Sequence, residues 1–168
     1  MQPKSLNEIN ADWLGERRTD SFAPVVLIAD DSEADVFFLL RAFAASGLKN
    51  PVHVVRSGGE AIDYLAGAGK FADRGLYPLP KIVFVDLKMP YPDGFEVLKW
   101  KQERMPDGIL WVATSNFDSV RTINAAYAAG ATTFLTKPLD AADVRNLIDA
   151  FDDFWTIKGT EFTGSGRN

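Results

Sequence analysis

Six polar residues stand at the ends of short apolar runs in this chain, and their types suit phosphoryl chemistry. Asp30 and Asp31 follow the first run and Asp86 the third; Thr114 and Ser115 follow the fourth, and Lys137, with Pro138 behind it, the fifth. Gathered at one place, three carboxylates repel one another and raise one another's pKa. A hard divalent cation relieves that repulsion, and oxygen-only ligands with coordinated water suit Mg²⁺. A carboxylate held beside such a cation is a competent nucleophile toward a phosphoryl group. The metal would neutralise charge on the transferring oxygens, while a lysine and a hydroxyl bind the remaining ones.

For these residues to meet, the runs before them must be neighbouring strands. Val25–Ile28, Val52–Val55, Ile82–Val85, Ile109–Val112 and Thr132–Leu135 are short, β-branched and continuous rather than alternating. That pattern predicts strands buried on both faces of a parallel sheet. Segments with helical spacing lie between them. Ser32 is the expected N-cap of a helix carrying Val36, Phe37, Leu39, Leu40 and Phe43, with Gly47 as its stop. Ala61, Ile62 and Leu65 predict a second helix. Phe95, Val97, Leu98 and Trp100 predict a third after Asp93-Gly94, and Val120, Ile123, Ala126 and Tyr127 a fourth ending at Gly130. Val144, Leu147, Ile148, Phe151, Phe154 and Trp155 predict a fifth. Five strands alternating with five helices read as an α/β fold, a (βα)5 doubly wound parallel sheet. Ligands of such sheets bind beyond the carboxyl ends of the strands, where the six polar residues stand.

Composition narrows the function. The 168 residues carry a net charge of −5, so no general attraction for nucleic acid or anionic membrane is expected. There is no Cys, which excludes disulfides, thiolate metal sites and Cys nucleophiles. The only histidine, His53, lies inside an apolar run and reads as structural; alone it makes neither a catalytic triad nor a histidine metal cluster. Gly67-Ala68-Gly69-Lys70 lacks the spacing and the following Ser/Thr of a phosphate loop and reads as a turn. No apolar run approaches the roughly 18 residues of a membrane span, and the polar start lacks a signal-peptide stretch; a cytoplasmic location is expected. The expected organisation is an N-terminal extension, 1–22, in which Ser5, Leu6, Ile9, Trp13 and Leu14 carry amphipathic helical spacing; a domain, 23–157; and a flexible tail, 158–168.

The stretches around these polar residues resemble a known family. Asp86-Leu87-Lys88-Met89-Pro90-Tyr91-Pro92-Asp93-Gly94 resembles the signature around the phosphorylated aspartate of response regulator receiver domains. Ala29-Asp30-Asp31-Ser32 is similar to their acidic pair. Ser57-Gly58-Gly59-Glu60-Ala61-Ile62-Asp63-Tyr64-Leu65 resembles their second helix and its opening turn, and Gly130 to Pro138 their last strand with a switch aromatic and a lysine. The resemblance runs from about Val25 to Trp155. The long Gly- and Pro-rich connection from Gly67 to Pro80, with the aromatic end Phe154-Trp155, resembles receivers paired with bacterial phytochrome kinases.

The resemblance implies a flavodoxin-like sheet in the order 2-1-3-4-5, and phosphorylation on Asp86 by a histidine kinase or phosphotransfer protein. It implies Mg²⁺ held by Asp31, Asp86 and the carbonyl of Lys88, with Asp30 supporting through water. Lys137 and a hydroxyl would bind phosphoryl oxygens. Thr114 and Ser115 point opposite ways from a strand, so only one faces the phosphate; Ser115, 22 residues before Lys137, matches the family spacing. Ser115 and Phe134 would act as the switch pair. Lys88 would lie over the phosphoryl group, and the Lys137–Pro138 peptide would be cis. Output would pass to a downstream protein partner, since little chain remains after Trp155 for an output domain. Consecutive Phe154 and Trp155 on one helix cannot both face the core, so a homodimer through this end is expected. The rival readings are a receiver-shaped binding module independent of phosphorylation, and an aspartate-nucleophile phosphatase. The phosphatase needs a second acid where this chain has Lys88.

Overall fold

The structure, a computed structural model, describes residues 24–155. The N-terminal helix and the tail expected from the sequence lie outside the described residues. Strands β1 (Val26–Ala29), β3 (Ile82–Asp86) and β4 (Leu110–Ser115) are buried along their whole lengths. Strands covered on both faces have no side to leave polar, which is why they read as unbroken apolar runs. With β2 (Val52–Val55) and β5 (Thr133–Thr136) they form one parallel sheet in the order β2-β1-β3-β4-β5. The α/β (βα)5 fold and its 2-1-3-4-5 order are as expected. β4 runs further than its apolar pattern, because Thr114 and Ser115 still pair with Leu135 and Thr136 of β5.

Five helices alternate with the strands: α1 (Glu33–Ala45), α2 (Gly58–Ala66), α3 (Gly94–Arg104), α4 (Val120–Ala128) and α5 (Ala141–Ala150). Each opens on a side-chain cap. Ser32, Ser57, Asp93, Ser119 and Asp140 accept from the backbone N–H three residues on, which satisfies a donor the helix itself cannot. Asp140 and Asp143 cap each other reciprocally. These caps start every helix close behind the carboxyl end of the preceding strand, so the loops at that rim are short except after β3.

The sheet divides the interior. On one face Val26, Ile28, Phe84 and Val112 pack with α1 and α5. On the other, Leu27, Val83, Val85 and Trp111 pack with α2, α3 and α4. The long connection after α2 is tied down: Arg74 donates to the carbonyls of Tyr64, Leu65 and Tyr77 at 2.7, 2.7 and 3.1 Å. Gly67 caps α2 in the left-handed region, φ 64°, so the glycine-rich stretch is a turn. His53 is structural, as its apolar surroundings imply. Tyr64 Oη donates to the Pro78 carbonyl at 3.0 Å, so at 2.6 Å it accepts from His53 Nδ1.

The last helix corrects an expectation. α5 stops at Ala150; Phe151 leaves helical geometry, and a 3-10 turn over Asp152–Phe154 follows. The last turn of α5 has no basic residue, and Asp149, Asp152 and Asp153 oppose the negative end of the helix dipole. The chain therefore turns, and Trp155 enters the core at 5% exposure, edge-on to Phe43 and Phe84. Phe154 packs half-buried beside it. The exposed aromatic end on which the homodimer expectation stood does not exist in this fold.

Candidate functional site

The carboxyl ends of β1, β3, β4 and β5 bring five of the six polar residues into one buried group. Asp30, Asp86, Thr114, Ser115 and Lys137 are all under 9% exposed, while Asp31 stands exposed beside them. One carboxylate oxygen from each of Asp30, Asp31 and Asp86 lies within 4.8 Å of the others. Lys137 Nζ donates to Asp30 Oδ2 at 2.6 Å and to Asp35 Oδ2 at 2.9 Å, and stands 3.2 Å from Asp86 Oδ2. Three carboxylates thus share one ammonium, with Asp31 a fourth acid beside them.

Burial alone would pull the Lys137 ammonium down, but its hydrogen bonds to Asp30 and Asp35 outweigh this and hold it above the usual lysine value. Burial pushes the Asp30 carboxyl above the usual aspartate range, against the pull of Lys137. The excess of negative charge and the all-oxygen donor set fit a hard divalent cation such as Mg²⁺. Both oxygens of Asp30 are engaged, one by Lys137 and the other by the Ser32 N–H at 2.9 Å. Exposed Asp31 is therefore the acid of the pair better able to reach a cation directly.

Asp86 ends β3, and its Oδ1 accepts the Lys88 N–H at 3.1 Å. The loop behind it is pressed onto two helices. A side chain at Gly94 would collide with the Asp86 carbonyl, and one at Gly58 with the Pro92 carbonyl. Both glycines are close-approach positions that bring α2 and α3 against the loop after β3. The Lys137–Pro138 peptide is cis, as the resemblance implies, and so is Tyr91–Pro92.

The two hydroxyls point apart, as neighbours in a strand must. Thr114 lines a small pocket with Asp30, Asp35 and Lys137, and its Oγ1 is 3.5 Å from the Val85 carbonyl. Ser115 lines a cleft with Leu87 and Lys88, and its Oγ accepts the Phe117 N–H at 3.0 Å. Phe134 is half-buried, pairs in register with Ala113 and packs on the α2–α4 side of the core.

Two participants escaped the sequence. Asp35 reaches Lys137 from α1 across 102 positions; its one signal is that it stands a turn beyond Asp31. Phe117 lies under Lys88, whose Nζ is 3.5 Å from the ring centroid. Nothing in the spacing of Lys88 and Phe117 foretells that contact.

The family described as the response regulator receiver domain matches residues 26–149. Response regulator Rcp1 of Synechocystis sp. is 26% identical over 136 residues, covering 78% of this chain and 88% of its own. A response regulator in red light signaling of R. palustris superposes with a TM-score of 0.70 at 32% identity, over 82% of this chain and 99% of that one. The phosphorylated cyanobacterial phytochrome response regulator RcpA gives a TM-score of 0.65 at 26% identity, over 81% and 99%.

Proposed function

This chain belongs to the response regulator receiver domain family of two-component signalling, and on that premise we propose that it takes a phosphoryl group onto Asp86 and signals by changing shape. The observation that carries the proposal is the setting of Asp86, 3.2 Å from the Lys137 ammonium and within 4.8 Å of two further carboxylates at the strand rim.

The donor is a histidine kinase or phosphotransfer protein. The likeness to the phytochrome response regulator RcpA favours a phytochrome kinase. Asp31, Asp86 and the Lys88 carbonyl would hold Mg²⁺, with Asp30 behind them through water. When bound, the cation neutralises charge on the transferring oxygens. An Asp86 carboxylate oxygen attacks phosphorus in line, the phosphorus–nitrogen bond breaks, and imidazole leaves. Lys137 and Ser115 bind the phosphoryl oxygens; the Ser115 hydroxyl accepts from Phe117, which leaves its own proton for the phosphate. Their shift lets Phe134 turn inward beside Ala113 and remodels the face of α4 and β5. That face, where Val120 and Tyr127 are exposed, would meet a downstream protein.

The test is mass spectrometry of the intact chain after treatment with acetyl phosphate and Mg²⁺. Wild type should gain one phosphoryl group and Asp86→Asn none. Equal labelling of both refutes the assignment. An unlabelled wild type, under conditions that label another receiver, favours the phosphorylation-independent binding module.

A further inference from the structure

Lys88 and Phe117 close the rim of the site from two different loops. Lys88 follows β3 and is exposed; Phe117 follows β4 and is 53% exposed. The Lys88 ammonium stands 3.5 Å from the centre of the Phe117 ring, a distance at which the ring quadrupole attracts a cation. The same lysine is fastened to the phosphoacceptor at its other end, where its backbone N–H donates to Asp86 Oδ1 at 3.1 Å. Phe117 is fastened to Ser115, whose Oγ accepts its N–H at 3.0 Å. Each partner in this contact is therefore one hydrogen bond away from a residue that would hold the phosphoryl group.

We propose that Lys88 and Phe117 form a phosphate-sensitive latch: the ammonium caps the ring in the unmodified domain and crosses to the phosphoryl group when Asp86 is modified, freeing Phe117 at the entrance to α4. The inference rests on the phosphoacceptor reading above. The exchange runs in this direction because a neutral ring at the surface offers only a weak, solvent-screened attraction. A phosphoryl dianion offers net charge and strong acceptor oxygens. Lys137 cannot satisfy that dianion alone, since it already serves three carboxylates. The freed ring has somewhere to go. A cleft of about 500 Å³ opens beside it, with Leu87, Phe95 and Thr122 among its walls. Phe117 stands two residues before Ser119, the cap of α4, so its release and the shift of Ser115 act on the same turn.

The contact has its own spectroscopic signature. In the full-length unmodified protein the Lys88 Cε protons, lying over the ring, should resonate upfield of those of the other lysines. Lys88→Arg identifies the signal by its loss. Phe117→Leu should abolish the upfield shift from the outset, while intact mass still shows one phosphoryl group added by acetyl phosphate and Mg²⁺. In wild type the shift should be lost in step with that added mass. An upfield signal that persists at complete phosphorylation overturns the latch, and so does its absence from the unmodified protein. A wild type that never gains phosphoryl mass overturns the phosphoacceptor reading and the latch with it.

Discussion

Removing the charge of Asp86 should stabilise the metal-free domain. Asp30 and Asp31 each place an oxygen within 4.8 Å of Asp86, and at an effective dielectric of about 20 each such pair repels by about 3.5 kcal/mol. The two together oppose folding by about 7 kcal/mol on that scale. The contact with Lys137 at 3.2 Å offsets about 5 kcal/mol. Solvent around Asp31 weakens its part, while the cost of burying a carboxylate that is 5% exposed works the other way. Asparagine keeps the shape and an oxygen for the Lys88 N–H, so Asp86→Asn should gain about 2 kcal/mol, or about 4–8 °C in Tm for a domain of this size. Mg²⁺ should reverse the order. At one hundred times its Kd a ligand stabilises the native state by about 2.7 kcal/mol, and the variant has lost a ligand group. Thermal unfolding followed by circular dichroism, first in chelator and then in saturating Mg²⁺, tests both halves. A variant that melts below wild type in chelator would refute the reasoning, because the site would then be held together by Asp86 rather than strained by it.

Asp31→Ala should weaken Mg²⁺ binding more than Asp30→Ala, since both oxygens of Asp30 are already engaged; calorimetric titration ranks the two, and the opposite order contradicts the assignment. Arg74→Ala should lower stability to urea by about 3 kcal/mol: three carbonyls lose a charged donor whose bonds contribute about 1.5–3 kcal/mol each, and water reaching the site of this half-buried residue restores part of that sum; a loss under about 1 kcal/mol would mean the connection after α2 holds itself. Burial keeps the His53 imidazole below its usual value, so below about pH 6.5 the unfolded chain binds more protons than the native one. His53 therefore contributes stability that is complete above that pH and lost as pH falls toward the native pKa. His53→Gln should flatten the decline in urea stability between about pH 7 and pH 5, and an unchanged slope would assign it to other groups.

The sheet was legible because its three central strands are buried on both faces, and a strand with no polar side prints its position as an apolar run. The helix starts were legible from their caps, and Ser32 and Asp93 do what their types suggest. Asp30, Asp86, Lys137 and the pair of hydroxyls could be placed at one rim because parallel strands all end on the same side. Where local pattern and tertiary contact disagreed, the pattern failed. Helical spacing runs on through Trp155, but acidic residues at the end of α5 and the pull of Phe43 and Phe84 break the helix and bury the tryptophan. Asp35 looks like any acid in the first turn of a helix, a position favoured by the dipole alone. Its bond to Lys137 depends on how α1 sits beside α5 and the turn after β5, which no local pattern records.

The burial of Trp155 also bears on the order in which the chain can fold as it is made. The core under α2, α3 and α4 draws on residues from Leu27 to Phe134, whereas the core under α1 and α5 joins Val26 to Trp155. On the ribosome the first could close while the carboxyl end is still in the exit tunnel. The second cannot, because its final aromatic partner is among the last residues of the domain to emerge. Until then Phe43 and Phe84 face an unfinished layer, and that exposed half of the nascent domain is the surface a chaperone would meet.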